Sequence, residues 1–333
     1  MLRLVVLLLA LLTVAAPAGG DPVKLRMAAI APDGTAWARE LRAFGRDVES
    51  HTNGAVVLKW YLGGIAGDEL TSLERVRKGQ LDGLAGAIFC ERLAPSLWVT
   101  RLVGLFNNSA EAKGVLRLLQ PKLAHEFEQS GFVDLGVGSF GTEIFFTRTV
   151  VRSMADLRKG RFFTWNLDDF WLKELPAMGI HSVPLPVEDA GKAYDDGLVD
   201  GFIGVPTAAL AYQWSTRAHF FTSLHTAFLP GCLVVARRAF DGLPLAHQQA
   251  IRSAAAKFVA RFEDLGAAQD EALLGGLFQH QGLVRADPSP ELARDFNDAA
   301  RDVRNRIGAQ LVPQALLSQV LSWLADARVD SNR

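Results

Sequence analysis

The stretch HSVPLPVEDAGKAYDDGLVDGFIGVP, residues 181–206, decides the fold. Residues 181–185 read as a strand, 187–196 as a helix and 201–205 as a second strand. Strands joined through one helix run parallel, because a tight turn joins only antiparallel neighbours. Such a unit belongs to an α/β architecture, in which helices cover the faces of a mostly parallel sheet.

Working outward, the alternation continues. Residues 133–137, 144–147 and 161–164 read as strands, and 168–178 as a helix closed by Gly179. Together they place an α/β lobe at 135–230. Nearer the N-terminus, strands at 24–30, 56–61 and 82–88 alternate with helices. The first of these helices carries Trp37, Leu41, Phe44 and Val48 on one face, and the second, at 68–78, carries Leu70, Leu73 and Val76. This βαβαβ order predicts a parallel sheet and a first lobe at 21–134. A strand at 229–237 returns the chain to the first lobe, and 231–265 includes the start of a long helix that reads almost uninterrupted from 245 to 280. The rest of that helix and further helices, 266–328, are expected to pack on the second lobe, with a disordered tail at 329–333.

The bulk properties agree with an ordinary two-lobed protein. The chain has 333 residues, 49% hydrophobic and 21% charged, with a net charge of −1. It is too long for one compact core, and no basic excess points to nucleic acid. Residues 1–20 hold a single basic residue, Arg3, then an apolar run at 4–16 and the small residues Ala16-Pro17-Ala18. That pattern fits a secretory signal cut near Ala18 to Gly20, which implies an exported, periplasmic protein. Cys90 and Cys232 sit in apolar surroundings and read more readily as packed small hydrophobes than as a bridge, which the exported location would nonetheless allow.

Catalytic signatures are missing. The Gly63-Gly64-Ile65-Ala66-Gly67 segment lacks the Lys-Ser/Thr of a phosphate loop. The seven histidines are dispersed, and His219 and His225 have no further ligand at metal spacing. No G-x-S-x-G elbow occurs. An enzyme reading therefore rests on no positive signal, and no cofactor or metal is expected.

Three segments resemble the DctP-like periplasmic substrate-binding proteins of TRAP transporters: 51–83, 153–165 and, most specifically, 181–206. The resemblance implies two α/β lobes joined by hinge strands, with a long helix spanning both. It also implies closure on a small-molecule ligand and docking of the closed form on TRAP-type membrane subunits. In that family a strand arginine of the second lobe clamps the substrate carboxylate. A planar guanidinium suits this role because its fork meets both oxygens. In RKGRFFTWN, 158–166, that position falls on Phe163.

Other positions depart in the same direction. A second basic residue of the family is replaced at Glu143 or Ile144, an Asn by Val205, and a Gln by Ile65. Phe163, Trp165, Phe145, Val205, Ile65 and Phe228 are therefore expected to form an apolar ligand surface. Trp37, Ile88, Phe89 and Val187 complete the candidate set. Glu143 is expected to bridge to Arg148 or Arg161 at the surface. The implied ligand is apolar or amphipathic, fatty-acid-like or lipid-like. Two alternatives are carboxylate binding through a relocated cation (Arg148, Arg152 or Arg161) and a sensory module without transport.

Overall fold

The computed structural model describes residues 21–224 and 226–331; the expected signal segment lies outside the described residues. The chain opens with β1 (Val23–Ala28), α1 (Ala36–His51), β2 (Val56–Tyr61), α2 (Glu69–Arg77) and β3 (Gly83–Gly86). Thr35 and Asp68 start the two helices by accepting backbone N–H groups of Ala38 and Thr71. Three helices follow, α3 (Ile88–Leu93), α4 (Trp98–Arg101) and α5 (Ser109–Gln129). A long strand, β4 (Phe132–Thr142), leads directly into β5 (Ile144–Thr147).

The second lobe continues with α6 (Met154–Lys159), β6 (Arg161–Trp165), α7 (Asp169–Ala177), β7 (His181–Leu185), α8 (Ala190–Asp195), β8 (Gly201–Gly204), α9 (Pro206–Ala211) and β9 (Phe220–Thr222). Then come β10 (Phe228–Ala236), α10 (Arg237–Phe240), α11 (Leu245–Ala272), α12 (Phe278–His280), β11 (Val284–Ala286), α13 (Pro290–Leu311) and α14 (Gln314–Ser331).

Two sheets result, with strand orders β2-β1-β3-β10-β4 and β11-β9-β5-β8-β6-β7. The βαβ units pair in parallel as expected: β1 with β2 and β3, and β6 with β7 and β8. Neither sheet is wholly parallel, because strands arriving from the opposite lobe enter antiparallel. β10 pairs that way with β3 and β4, and β5 with β8 and β9. The first crossing between the sheets falls at Glu143, between β4 and β5, rather than at 135.

The third connection is α11. Phe258 of this helix lies in the first lobe's core, and Leu273, just past its end, in the second lobe's core. The helix is not unbroken to 280: a π-helical segment, Leu273–Leu277, interrupts it where Gly275-Gly276 remove side-chain packing. α13 packs on α6 and α7, but α14 packs on α4 and α5, so the C-terminal helices buttress both lobes rather than the second alone. α14 runs to Ser331, through the expected tail; residues 332–333 lie outside the described residues.

Cys90 and Cys232 form a disulfide, with Cα atoms 5.8 Å apart. The reading of two packed thiols is corrected by register. Cys232 of β10 stands opposite Gly86 of β3, and the turn into α3 brings Cys90 back over that point.

Candidate ligand-binding cleft

Strand alternation sets the wall on the second lobe. Successive β6 side chains face opposite sides of the sheet. Phe162 therefore joins Phe145, 5.1 Å between ring centres, in the core under α13, whose Phe296 meets Phe145 in turn. Phe163 and Trp165 face the other way, into a cavity between the lobes. Phe163 is 2% exposed and packs its ring against Trp214 at 5.4 Å and Phe202 at 6.4 Å. It is at once a core residue of its lobe and part of the cavity wall.

The cavity encloses about 160 Å³ and draws on both lobes. The first lobe contributes Trp37, Glu69, Ile88, Phe140, Phe258 and Phe262, among others; the second adds Trp171, Val187, Val205, Tyr212 and Trp214. Trp37, Phe140 and Phe262 form a chain of edge-to-face rings, with centres 5.3 and 5.2 Å apart. Bare backbone makes room for them. A Cβ on Gly231 would lie 2.2 Å from the Phe140 ring, and one on Gly86 would lie 2.3 Å from Glu69 Oε1.

Seven of the candidate residues line this cavity: Trp37, Ile88, Glu143, Phe163, Trp165, Val187 and Val205. Four do not. Phe145 and Phe228 point into the core on the far side of their strands, and Phe89, on α3, is buried in the same core. Ile65 is 76% exposed on the loop before α2.

Among the described residues, no lysine, arginine or histidine lines the cavity, whereas Glu69, Glu143 and Asp168 do. Behind them lies Arg101, 0% exposed. Its guanidinium forks onto Asp168 at 2.8 and 2.9 Å and donates to Glu143 at 3.1 Å and Glu91 at 3.2 Å. It also stacks 4.7 Å from the Phe170 ring centre. Asp168 accepts in addition from Trp171 N–H, capping α7. Arg101 and Glu91 belong to the first lobe and Asp168 to the second, so the cluster ties the lobes together. Arg92–Asp169, at 2.6 Å, is a second tie between them.

Glu143 is thus buried, and the expected surface bridge to Arg148 or Arg161 does not form. Arg148 stacks 3.9 Å from the Tyr194 ring centre, and Arg161 pairs with Asp200 at 2.9 Å. The main chain of Glu143 is fixed at the crossing: its N–H donates to Ala227 O at 2.8 Å, and its carbonyl accepts from Thr226 N–H and Oγ1. Its carboxylate accepts from Trp171 Nε1 at 2.9 Å. Burial pushes the Glu143 and Glu91 carboxyls above the usual range, against the pull of Arg101. Burial also pushes Glu69 up to about 7, although it accepts backbone N–H bonds from Ala87 and Phe89 at 3.0 Å. Sequence reasoning missed Arg101, Asp168 and Glu69. The available signal was one arginine isolated in the apolar run SLWVTRLVGLF, 96–106; a charge there is buried and paired, or the run does not pack.

Comparison with known proteins places this geometry. A family model, DctP, "Bacterial extracellular solute-binding protein, family 7", matches residues 27–310. The chain belongs to this family. A relative described as a solute-binding protein, from Chromohalobacter salexigens, is 24% identical over 231 residues. That match spans 65% of this chain and 65% of the relative. Among solved structures, a TRAP periplasmic solute binding protein from Xanthobacter autotrophicus Py2 with bound β-D-galacturonate superposes with a TM-score of 0.81 at 20% identity, covering 90% of this chain and 98% of that one. One from Desulfovibrio desulfuricans with bound sn-glycerol-3-phosphate gives 0.83 at 19%, covering 92% and 97%. At these identities the likeness is one of fold. Family membership makes this chain a solute-binding protein at the coarse level. No helix among the described residues is long and apolar enough to cross a membrane.

Proposed function

We propose that this DctP-family chain is the periplasmic receptor of a TRAP-type transporter, and that its lobes close on an apolar or amphipathic ligand for delivery to membrane subunits. The observation that carries the reading is the cleft's lack of a lining cation among the described residues, with Phe163 standing where the family resemblance puts a carboxylate-clamping arginine. Burying apolar ligand surface against such a wall gains about 25 cal/mol per Å². A small sugar acid would forgo a charge-assisted hydrogen bond, on the order of 1.5–3 kcal/mol. The relocated-cation alternative loses its candidates, because Arg148 and Arg161 are engaged with Tyr194 and Asp200, and Arg152 is exposed away from the cavity. Arg101 is occupied by three carboxyl groups.

Native mass spectrometry of the protein purified from its own cells, with organic extraction, tests the proposal. The expected result is a co-purifying apolar or amphipathic compound. A tightly held C4-dicarboxylate or sugar acid, with no apolar compound, overturns it.

A further inference from the structure

The charge of the cleft is one-sided. Three carboxyl groups line it, and the guanidinium paired with two of them, that of Arg101, is buried behind the wall and shared among Glu91, Glu143 and Asp168. Glu69 is 1% exposed and accepts from the backbone N–H groups of Ala87 and Phe89. Its ionised form faces the cavity with no positive side chain among the described residues that line it. An anionic ligand would be set against that carboxyl group without a free cation to hold it. A buried carboxylate, in contrast, is stabilised by an opposite charge within hydrogen-bonding distance.

The rest of the wall suits the same kind of occupant. Nine lining residues are aromatic, and ring faces attract organic cations, most strongly tryptophan. Four of the nine are Trp37, Trp165, Trp171 and Trp214. The enclosed volume of about 160 Å³ is close to that of an engineered apolar cavity of about 150 Å³ that admits benzene. A long acyl chain exceeds that space, whereas a single ring with a short arm does not.

We propose that the ligand is a compact organic cation, an amine or ammonium nitrogen carried on an apolar body of about one ring, with the nitrogen seated at Glu69 and Glu143. This rests on the reading of the cleft as the solute site and narrows its ligand class. Within that class the aromatic wall takes the body, and the carboxyl groups discriminate the head.

Isothermal titration with three probes of matched shape tests the inference: phenethylamine, 2-phenylethanol and 3-phenylpropanoate. Phenethylamine is expected to bind at least about tenfold more tightly than the alcohol, the size of one charge-assisted hydrogen bond, with the acid weakest. Glu69→Gln is expected to remove about tenfold of the amine's affinity and to change the alcohol's by less than about threefold. The alcohol therefore also reports that the variant is folded. Equal or tighter binding of the alcohol or acid overturns the cation, as does no amine binding at millimolar concentration. Binding of 2-phenylethanol without amine preference leaves the apolar reading standing. Binding of β-D-galacturonate in the same series, with none of the three probes, removes both.

Discussion

Arg101 and Asp168 meet in a two-pronged ion pair at 2.8 and 2.9 Å, with both residues buried, and they come from opposite lobes. A guanidinium buried among three carboxyl groups matters mainly through what its removal leaves behind. Arg101→Met should cost about 3–5 kcal/mol at pH 8, because Asp168, Glu91 and Glu143 lose their counter-charge together. At pH 5 the cost should shrink, since Glu91 and Glu143 can then hold protons. Urea denaturation of the variant at both pH values checks this; an equal cost at each would refute the account.

The raised carboxyls predict an unusual pH profile. Between pH 4.5 and about 7, folded Glu69 holds a proton that the unfolded chain has released. The stability linked to that proton is complete below the unfolded value and lost as pH rises through about 7. For Glu69 alone this is roughly 3 kcal/mol. Asp200 and Glu111 act oppositely: Arg161 and Arg328 hold them below the usual range, so their contribution fades as the medium becomes strongly acidic. The melting temperature should therefore peak near pH 5 and fall toward pH 8, and Glu69→Gln should flatten the alkaline limb. Calorimetry across that range decides it.

Phe163 and Phe145 offer a controlled comparison. Each is almost fully buried, so truncation to Ala should cost about 3–5 kcal/mol in either case. Only Phe163 faces the cleft. Phe163→Ala should weaken ligand binding by about tenfold or more, and Phe145→Ala should leave it within about twofold, taking roughly 0.8 kcal/mol per lost buried CH₂ contact as the scale. Melting temperature and affinity of both variants, measured together, separate cleft from core.

The disulfide spans 142 residues of chain. Reducing it, or replacing both cysteines with serine, should lower stability by about 2–5 kcal/mol. Guanidinium melts with and without reductant provide the measurement, and coincident curves would show that the bridge contributes nothing.

Much of the architecture was legible because it rests on local periodicity. The strands at 56–61 and 181–185 were placed to the residue, as alternation and flanking turns fix them. The antiparallel entries of β5 and β10 were not, because they depend on strands that return from the other lobe after long separations. The cleft divides along the same line. Phe163, Trp165 and Val205 could be found because strand parity and the family pattern act within a few residues. Arg101, Asp168 and Glu69 owe their roles to contacts 10 to 67 positions apart, which no local pattern encodes. Phe145 and Phe228 were assigned to the wrong side of their strands, since an apolar residue between two buried layers reads the same in either direction.

Glu143 has a backbone that joins the two sheets and a carboxyl group that borders the cavity. Under the proposed closure of the lobes on a ligand, the residue that meets the ligand and the residue at the joint would be one amino acid. A charge or dipole arriving at that carboxyl group would then act on the joint itself, and a partner that reads the angle between the lobes would read whether the cleft is filled.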